Sequence, residues 1–167
     1  MRIQYDGANR DGLFGYSDSS MGDQADDHHS TLGYVFLLAN GAISWTSHKQ
    51  HTIAQSTTEV EYMALTDAGN QAAWYRSFLS ELGYSPEKPI PIHGDNKGAI
   101  DLSENLITGW RSKHIDIKHH VIREYIQSDQ ITLIRTPTTQ MITDGFTKSL
   151  PHVLLQRFNE GMGLIDH

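Results

Sequence analysis

The stretch that decides the fold is STTEVEYMAL, residues 56–65, which begins the longest helical pattern in the chain. Apolar residues recur along one face of this pattern up to Leu82, and Gly83 then ends it. Because an amphipathic helix is stable in water mainly when its apolar face is covered, the other segments must supply a surface for it. The sequence therefore predicts a long helix from Thr57 to Leu82 that is buried on one side.

Three segments with strand-like patterns precede this helix. The first, Leu13 to Ser19, ends in polar residues and is followed by an acidic loop. The second and third, Thr31 to Leu38 and Ala42 to Thr46, are separated by Asn40-Gly41, a dipeptide typical of tight hairpin turns. We therefore expect three consecutive antiparallel strands before the helix.

The segments after the long helix alternate between strand-like and helical patterns. The predicted elements are a strand at 89–93, a short helix at 97–105, a helix at 112–128, a strand at 131–135 and a last helix at 139–145. Pro151 marks the exit from the last helix. The order of strands and helices predicts a mixed α/β layer with helices covering the sheet and one parallel crossover.

Composition limits the classes of function that remain. The chain has 167 residues and 38% hydrophobic content, which suits one domain, and no cysteine for a disulfide or a cysteine-based zinc site. The N-terminus lacks the apolar run of a signal peptide, and no window approaches the roughly 18 apolar residues of a membrane span. A net charge of −7 gives no general attraction to nucleic acid. We therefore expect a soluble protein without membrane contact that would bind nucleic acid through a local basic patch or metal ions.

Two glutamates stand two residues apart at the start of the long helix. Because an α-helix turns about 100° per residue, Glu59 and Glu61 point in nearly opposite directions and cannot share one site. Glu59 falls on the solvent side and has the capping-box spacing to Ser56. Glu61 falls within the apolar face, where a carboxylate needs a positive partner. That partner is either a Lys or Arg side chain or a metal ion, and Glu61 alone does not decide between them.

Three aspartates are further candidates for a functional site. Asp18 and Asp95 each stand at the end of a predicted strand beside small residues, and Asp144 lies in the last predicted helix. Sites in α/β sheets commonly form at strand ends. A lone Asp at a strand end is more often part of a turn or a helix cap, so neither Asp18 nor Asp95 is decisive by itself, and Asp144 alone would be an ordinary surface acid.

Five segments carry a resemblance to a known family. They are GYSDSS (residues 15–20), the run from Ser30 to Leu65, GDNKGAI (94–100), SKHIDIKHHVIRE (112–124) and TDGFTKSL (143–150). In order and spacing they resemble the ribonuclease H domain of copia-type LTR retrotransposon polyproteins. Each segment alone is common, whereas five in register are specific. The resemblance implies an α/β, ribonuclease H-like fold with a five-stranded mixed sheet, its first three strands antiparallel, flanked by helices.

The resemblance also implies a catalytic site made of four carboxylates. The positions that match the family are Asp18, Glu61, Asp95 and Asp144. Ligation by oxygen alone favours Mg²⁺, for which Mn²⁺ can substitute, and two such ions about 4 Å apart can activate water and stabilise a leaving oxygen. We therefore expect these residues to be catalytic and to bind two Mg²⁺ ions. The expected reaction is hydrolysis of the RNA strand of RNA/DNA hybrids during retrotransposon reverse transcription.

Polar residues near these acids and one basic cluster are the expected substrate contacts. Contacts to 2′-hydroxyl groups distinguish RNA from DNA, and basic side chains can hold phosphates or simply form a charged helix face. The histidine in the family's KHID pattern is expected to be structural or on the substrate side, because the helical spacing does not let it form a zinc site. The predicted contacts are Ser19, Gln55, Ser56, Asn96, Arg111, Lys113 and His114.

The resemblance covers residues 13–150, which are interpreted as the ribonuclease H domain. Residues 1–12 are interpreted as the tail of a connection to an upstream reverse transcriptase, and residues 151–167 as a C-terminal tail. The implied partners are an RNA/DNA hybrid and a reverse transcriptase domain, in a cytoplasmic, virus-like-particle context. Two alternatives stay open: a degenerate domain with a structural or interaction role, and a related DNA nuclease on the same fold. The first predicts loss of a metal ligand, and none is lost.

Overall fold

The computed structural model describes residues 1–7, 12–21, 29–50, 54, 56–104 and 113–165, and for residues 113–119 it describes the backbone alone. The described strands are β1 (Arg2–Ile3), β2 (Phe14–Ser20), β3 (Thr31–Leu38), β4 (Gly41–Lys49), β5 (Ile90–Gly94), β6 (Ile131–Arg135) and β7 (Leu164–Ile165). The described helices are α1 (Thr57–Glu81), α2 (Lys97–Glu104), α3 (Lys113–Gln127), α4 (Asp144–Thr147) and α5 (His152–Gly161). Within these ranges, no helix combines the length and apolar character needed to cross a lipid bilayer.

A five-stranded mixed sheet in the order β4-β3-β2-β5-β6 forms the centre of the fold. Strands β2, β3 and β4 are antiparallel, which confirms the prediction for the first three strands. The sequence predicts one parallel crossover, and the structure has β5 parallel to both β2 and β6. Because β2 and β5 pair in parallel, their C-terminal ends are neighbours, and this is where two of the predicted aspartates stand.

The hairpin between β3 and β4 turns one residue earlier than predicted. Ala39 and Asn40 are its central residues, with φ of 52° and 63°, and Leu38 pairs with Gly41. Positive φ at both central positions is typical of a type I′ turn. Gly41 serves another contact, because a Cβ there would come within 2.5 Å of the Tyr5 ring. The glycine is therefore used for close approach of the N-terminal segment rather than for the turn.

Helix α1 covers one face of the sheet with its apolar side. Tyr62 and Leu65 are buried in a core cluster that also contains Ile90 and Ile92 of β5. The predicted burial is wrong at the helix end, where Leu82 is 58% exposed. A helix of 25 residues is about 37 Å long, whereas a strand of 5 residues spans about 17 Å, so the last turns of α1 extend past their cover.

The other face of the sheet is covered by the C-terminal part of the chain, which differs from the prediction. Instead of one helix over 139–145, a 3₁₀ turn at Thr138–Gln140 is followed by extended backbone at Met141 and then by α4. Pro151 stands immediately before α5, so it begins a helix rather than ending one. Met141 is buried, as is Thr143, and side-chain burial in this short stretch outweighs its helical spacing.

The first and last described segments of the chain pack together with the C-terminal part that covers this second face of the sheet. Strand β1 pairs with β7, and Met162, just before β7, packs in a core cluster with Val35 and Leu37 of β3. The Phe158 ring of α5 lies edge-on to Phe146 of α4, with ring centroids 5.0 Å apart. The division of the chain at residues 12 and 150 stays a prediction, and residues on both sides of each boundary pack on one sheet.

Candidate active site

Three of the predicted acids converge at the C-terminal ends of β2 and β5. Tyr16 of β2 pairs with His93 of β5, and Asp18 and Asp95 each stand two residues further along the chain. Side chains alternate along a strand, so this register brings Asp18 and Asp95 to the same end and side of the sheet. Glu61 reaches them from the second turn of α1. One carboxylate oxygen of each acid lies within 4.8 Å of the other two.

The three carboxylates meet in a poorly solvated place. Asp18 is 2% exposed and Glu61 is 8% exposed, so water solvates neither well. Burial, and next the charge of Asp18, raises the pKa of Glu61 from 4.5 to about 8. The backbone N–H of Ser19 donates to Glu61 Oε1 at 3.3 Å and only partly compensates. Such a group of acids, two of them buried, favours a bound cation, and its all-oxygen donor set fits Mg²⁺ or Mn²⁺.

Asp144 lies outside this group of three and is held by a lysine. It is the first residue of α4, and its Oδ1 accepts a hydrogen bond from Lys148 Nζ at 2.7 Å. The same Nζ lies 3.7 Å from Asp18 Oδ2. The Lys148 ammonium therefore joins the fourth acid to the first. The structure brings Asp18, Glu61 and Asp95 together and places Asp144 beside them across an ion pair.

Two threonines fix the aspartates by hydrogen bonds. The Thr147 hydroxyl donates to Asp18 Oδ2, and the Thr138 hydroxyl donates to Asp95 Oδ2 at 2.8 Å. Burial raises the pKa of Asp18, while the Thr147 hydroxyl and then the Lys148 charge oppose that rise. Each bond uses Oδ2 and leaves Oδ1 of the aspartate free to bind a metal ion. Hydrogen bonds of this kind orient carboxylates that bind metals.

A glycine in β3 lets α4 approach the sheet at this point. Gly33 pairs with Asp18 across the sheet, and a Cβ on Gly33 would lie 2.7 Å from Phe146 Cβ and 3.1 Å from Thr147 Cγ2. Contacts that short would force α4 outward. Gly33 thus permits the approach that brings Thr147 and Lys148 to Asp18.

The predicted substrate contacts fall into three groups. Ser19 lies in the site and its amide binds Glu61, while Ser56 and Asn96 accept hydrogen bonds from backbone N–H groups at the starts of α1 and α2. Their roles toward a substrate stay predictions. Gln55 and Arg111 lie outside the described residues, as do the side chains of Lys113 and His114.

Sequence reasoning missed Lys148, Thr147 and Thr138. A readable signal existed for Lys148, which follows Asp144 by four residues and so faces it on a helix. Thr147 and Thr138 gave no such signal, because their partners lie 129 and 43 residues away in the chain.

Comparisons with known proteins place the chain among retrotransposon proteins. It is 38% identical over 152 residues to the retrovirus-related Pol polyprotein from transposon TNT 1-94 of Nicotiana tabacum, covering 91% of this chain and 11% of that protein. It is 36% identical over 153 residues to the corresponding polyprotein from transposon RE2 of Arabidopsis thaliana, covering 92% of this chain and 10% of that protein. The chain thus spans about a tenth of the length of these relatives. No family model matches the sequence.

Solved structures show the same fold at low sequence identity. The structure of LC11-RNase H1 in complex with an RNA/DNA hybrid superimposes with a TM-score of 0.59 and 12% identity, over 81% of this chain and 93% of that one. The foamy viral protease-reverse transcriptase in complex with an RNA/DNA hybrid gives a TM-score of 0.55 and 16% identity, over 76% of this chain and 17% of that one. The chain is therefore homologous to a segment of copia-type retrotransposon Pol polyproteins and has a ribonuclease H fold.

Proposed function

We propose that this chain is a metal-dependent endonuclease that hydrolyses the RNA strand of RNA/DNA hybrids. The observation that carries the proposal is the convergence of Asp18, Glu61 and Asp95, whose oxygens lie within 4.8 Å of one another although two of the acids are buried. Three mutually repelling carboxylates in such a place destabilise the fold unless a cation binds there. Homology to a segment of retrotransposon Pol polyproteins and the ribonuclease H fold support the type of reaction.

In this proposal the four acids hold two Mg²⁺ ions, which Mn²⁺ can replace. Asp18 would be shared by both ions, Glu61 and Asp95 would hold the one nearer the leaving group, and Asp144 would hold the other. When bound, the ions lower the pKa of a water molecule and neutralise charge on the phosphodiester oxygens. The protein's own part is to hold the carboxylates in place: Thr147 and Thr138 orient the two aspartates, and the Ser19 amide orients Glu61.

We further propose that the hybrid is the substrate in the context of reverse transcription. Two proteins with this fold, LC11-RNase H1 and the foamy viral protease-reverse transcriptase, have been solved in complex with an RNA/DNA hybrid. The net charge of −7 means that the isolated chain gains little general attraction to a polyanion. A reverse transcriptase domain in the parent polyprotein would supply the missing affinity, and the setting would be intracellular.

A cleavage assay with a labelled RNA/DNA hybrid tests the reaction. The chain is incubated with Mg²⁺, Mn²⁺ or EDTA, and DNA duplex and RNA duplex serve as alternative substrates. We expect RNA-strand cleavage with either ion, none with EDTA, and none in Asp18→Asn. Cleavage that survives EDTA or Asp18→Asn would contradict the metal mechanism, and preferential cleavage of duplex DNA would favour the related DNA nuclease instead.

The dependence on a neighbouring domain needs its own comparison. The same hybrid is titrated with this chain and with a longer protein that includes the upstream polyprotein region. We expect the longer protein to cleave at lower enzyme and substrate concentrations, with a similar rate at saturation. Equal efficiency of the two proteins at all concentrations would contradict the proposed contribution of the reverse transcriptase.

A further inference from the structure

The positively charged side chain of Lys148 lies between Asp18 and Asp144. Lys148 Nζ is 2.7 Å from Asp144 Oδ1 and 3.7 Å from Asp18 Oδ2. The proposed function assigns these two carboxylates to the second metal ion. An ammonium group therefore occupies the place between the two acids that this ion would need.

The geometry around Lys148 holds the ammonium without burying it. The lysine follows Asp144 by four residues, and its backbone N–H donates to the Asp144 carbonyl at 2.9 Å, which fixes the start of the side chain beside the acid. The Lys148 side chain is 43% exposed, so it has an open path to solvent. On the other side, Thr147 holds Asp18 Oδ2 and keeps that oxygen directed toward α4. The ammonium thus lies between the two acids when no metal ion is bound, and its exposed side chain can swing out into solvent.

The three-acid group and Asp144 differ in whether a side-chain cation balances their charge. Asp18, Glu61 and Asp95 lie together. Among the described residues, no Lys or Arg side chain forms an ion pair with Glu61 or Asp95, as expected for a site that binds a divalent ion. Asp144, in contrast, has its charge already matched by Lys148. Within the described ranges, the three-acid group has no side-chain cation on Glu61 or Asp95, whereas Asp144 already has one.

We propose that Lys148 is a tethered counter-ion that occupies the second metal position and must be displaced before a second divalent ion binds between Asp18 and Asp144. The inference rests on the proposed function, because it takes the four acids as metal ligands. Lys148 is a positioning and competing residue in this view. Its presence makes the binding of the two ions unequal, the first at the three-acid group and the second weaker.

Ion binding without substrate tests this inference independently of cleavage. Bound Mn²⁺ is counted by electron paramagnetic resonance of the free ion, and the stepwise affinities are fitted for the original chain and for Lys148→Met, which keeps the length and removes the charge. Lys148→Arg keeps the charge. Lys88→Met is the matched control, because Lys88 is exposed and precedes β5, at the opposite end of that strand from Asp95.

The expected results separate the variants clearly. Removal of the competing charge should tighten the second binding step by about ten-fold or more in Lys148→Met. The first step should tighten by clearly less, because Lys148 contacts only Asp18 of the three-acid group. Lys148→Arg and Lys88→Met should keep a weak second step. Circular dichroism verifies that each variant is folded, and Lys148→Gln replaces Lys148→Met if the latter is not.

Two outcomes would overturn the inference, and they differ in what else they overturn. If the first ion binds normally and the second step is unchanged or weaker without the Lys148 charge, the inference fails and the proposed function stands. If no ion binds to any variant at millimolar Mn²⁺, the metal mechanism fails and the inference fails with it.

Discussion

At the scale of single residues, the start of α1 shows how much a sequence can assign. Helical geometry alone separates Glu59 from Glu61, and the structure places Glu61 among the buried acids, while the Ser56 hydroxyl accepts from the Glu59 backbone N–H at 3.2 Å. The sequence can separate these two glutamates because their directions depend only on the geometry of one helix. The lysine and threonines that complete the site come from other elements, and only their fold brings them to Asp18.

Glu61 should make the metal-free protein sensitive to pH. Its pKa is about 8 in the folded chain against 4.5 as an ordinary glutamate, so the folded state holds the extra proton between these values. The free energy of unfolding in EDTA should therefore fall as pH rises from about 4.5 to about 8. Glu61→Gln should remove most of this slope and stabilise the metal-free protein near pH 8 by on the order of a few kcal/mol.

The measurement is urea unfolding in EDTA across that pH range, with Glu59→Gln as the matched control. Glu59→Gln should keep the slope and cost at most about 1 kcal/mol, because it changes a helix start and not the acid group. Hybrid cleavage in Mg²⁺ should be lost in Glu61→Gln and kept in Glu59→Gln. A flat pH profile in the original chain would contradict the predicted proton uptake.

Thr147 should matter through the carboxylate that it orients. Its hydroxyl donates to Asp18 Oδ2, and loss of such an outer hydrogen bond typically lowers metal affinity or activity about 10–100-fold. Thr147→Val keeps the shape and removes the donor, whereas Thr147→Ser keeps the donor. We expect weaker Mn²⁺ binding and slower cleavage in Thr147→Val, and recovery of both in Thr147→Ser. Equal losses in the two variants would indicate a packing role instead.

At the scale of elements, those with a clear local pattern were predictable, whereas α4 was not. Strands β3 and β6 and helix α1 match their predicted ranges closely, because alternation, periodicity and caps act within each segment. Helix α4 has only 4 residues, too few for local propensity to decide. Its place is set by Gly33 on one side and by the Phe158 ring on the other.

Gly33 is therefore expected to control the distance between α4 and the sheet. A methyl group there would meet Phe146 Cβ at 2.7 Å, and overpacking of that kind costs about 1–3 kcal/mol. Gly33→Ala should lower the free energy of unfolding by that amount and reduce cleavage, because Thr147 and Lys148 move with α4. Thermal and urea unfolding, together with the hybrid assay, measure both effects.

Gly69→Ala is the matched control for this experiment. Gly69 lies inside α1, and an added Cβ there would find its nearest neighbour at 3.5 Å, an ordinary contact. Alanine is the better helix former by about 1 kcal/mol, so this variant should be as stable as the original or more so. If both alanine variants behaved alike, the close approach of α4 at Gly33 would not be what positions the site.

At the scale of the whole molecule, the described ends of the chain contribute to the core. The resemblance to a known family ends at residue 150, which is why the sequence interpretation ends the domain there. Beyond that point, α5 packs on α4, and β7 pairs with β1. Two-residue strands leave little trace in a sequence, because only their partners across the fold make them stable.

Met162 offers the decisive test of whether residues 151–167 are a tail or part of the domain. Its side chain is 5% exposed and packs with Val35 and Leu37 on the face of the sheet opposite α1. Loss of a buried methionine side chain typically costs about 2–5 kcal/mol, whereas a residue in a tail costs nothing measurable. Met21→Ala is the matched control, since Met21 is 41% exposed. Urea unfolding should show a clear loss for Met162→Ala and almost none for Met21→Ala; equal stability of the two variants would instead support a domain that ends at residue 150.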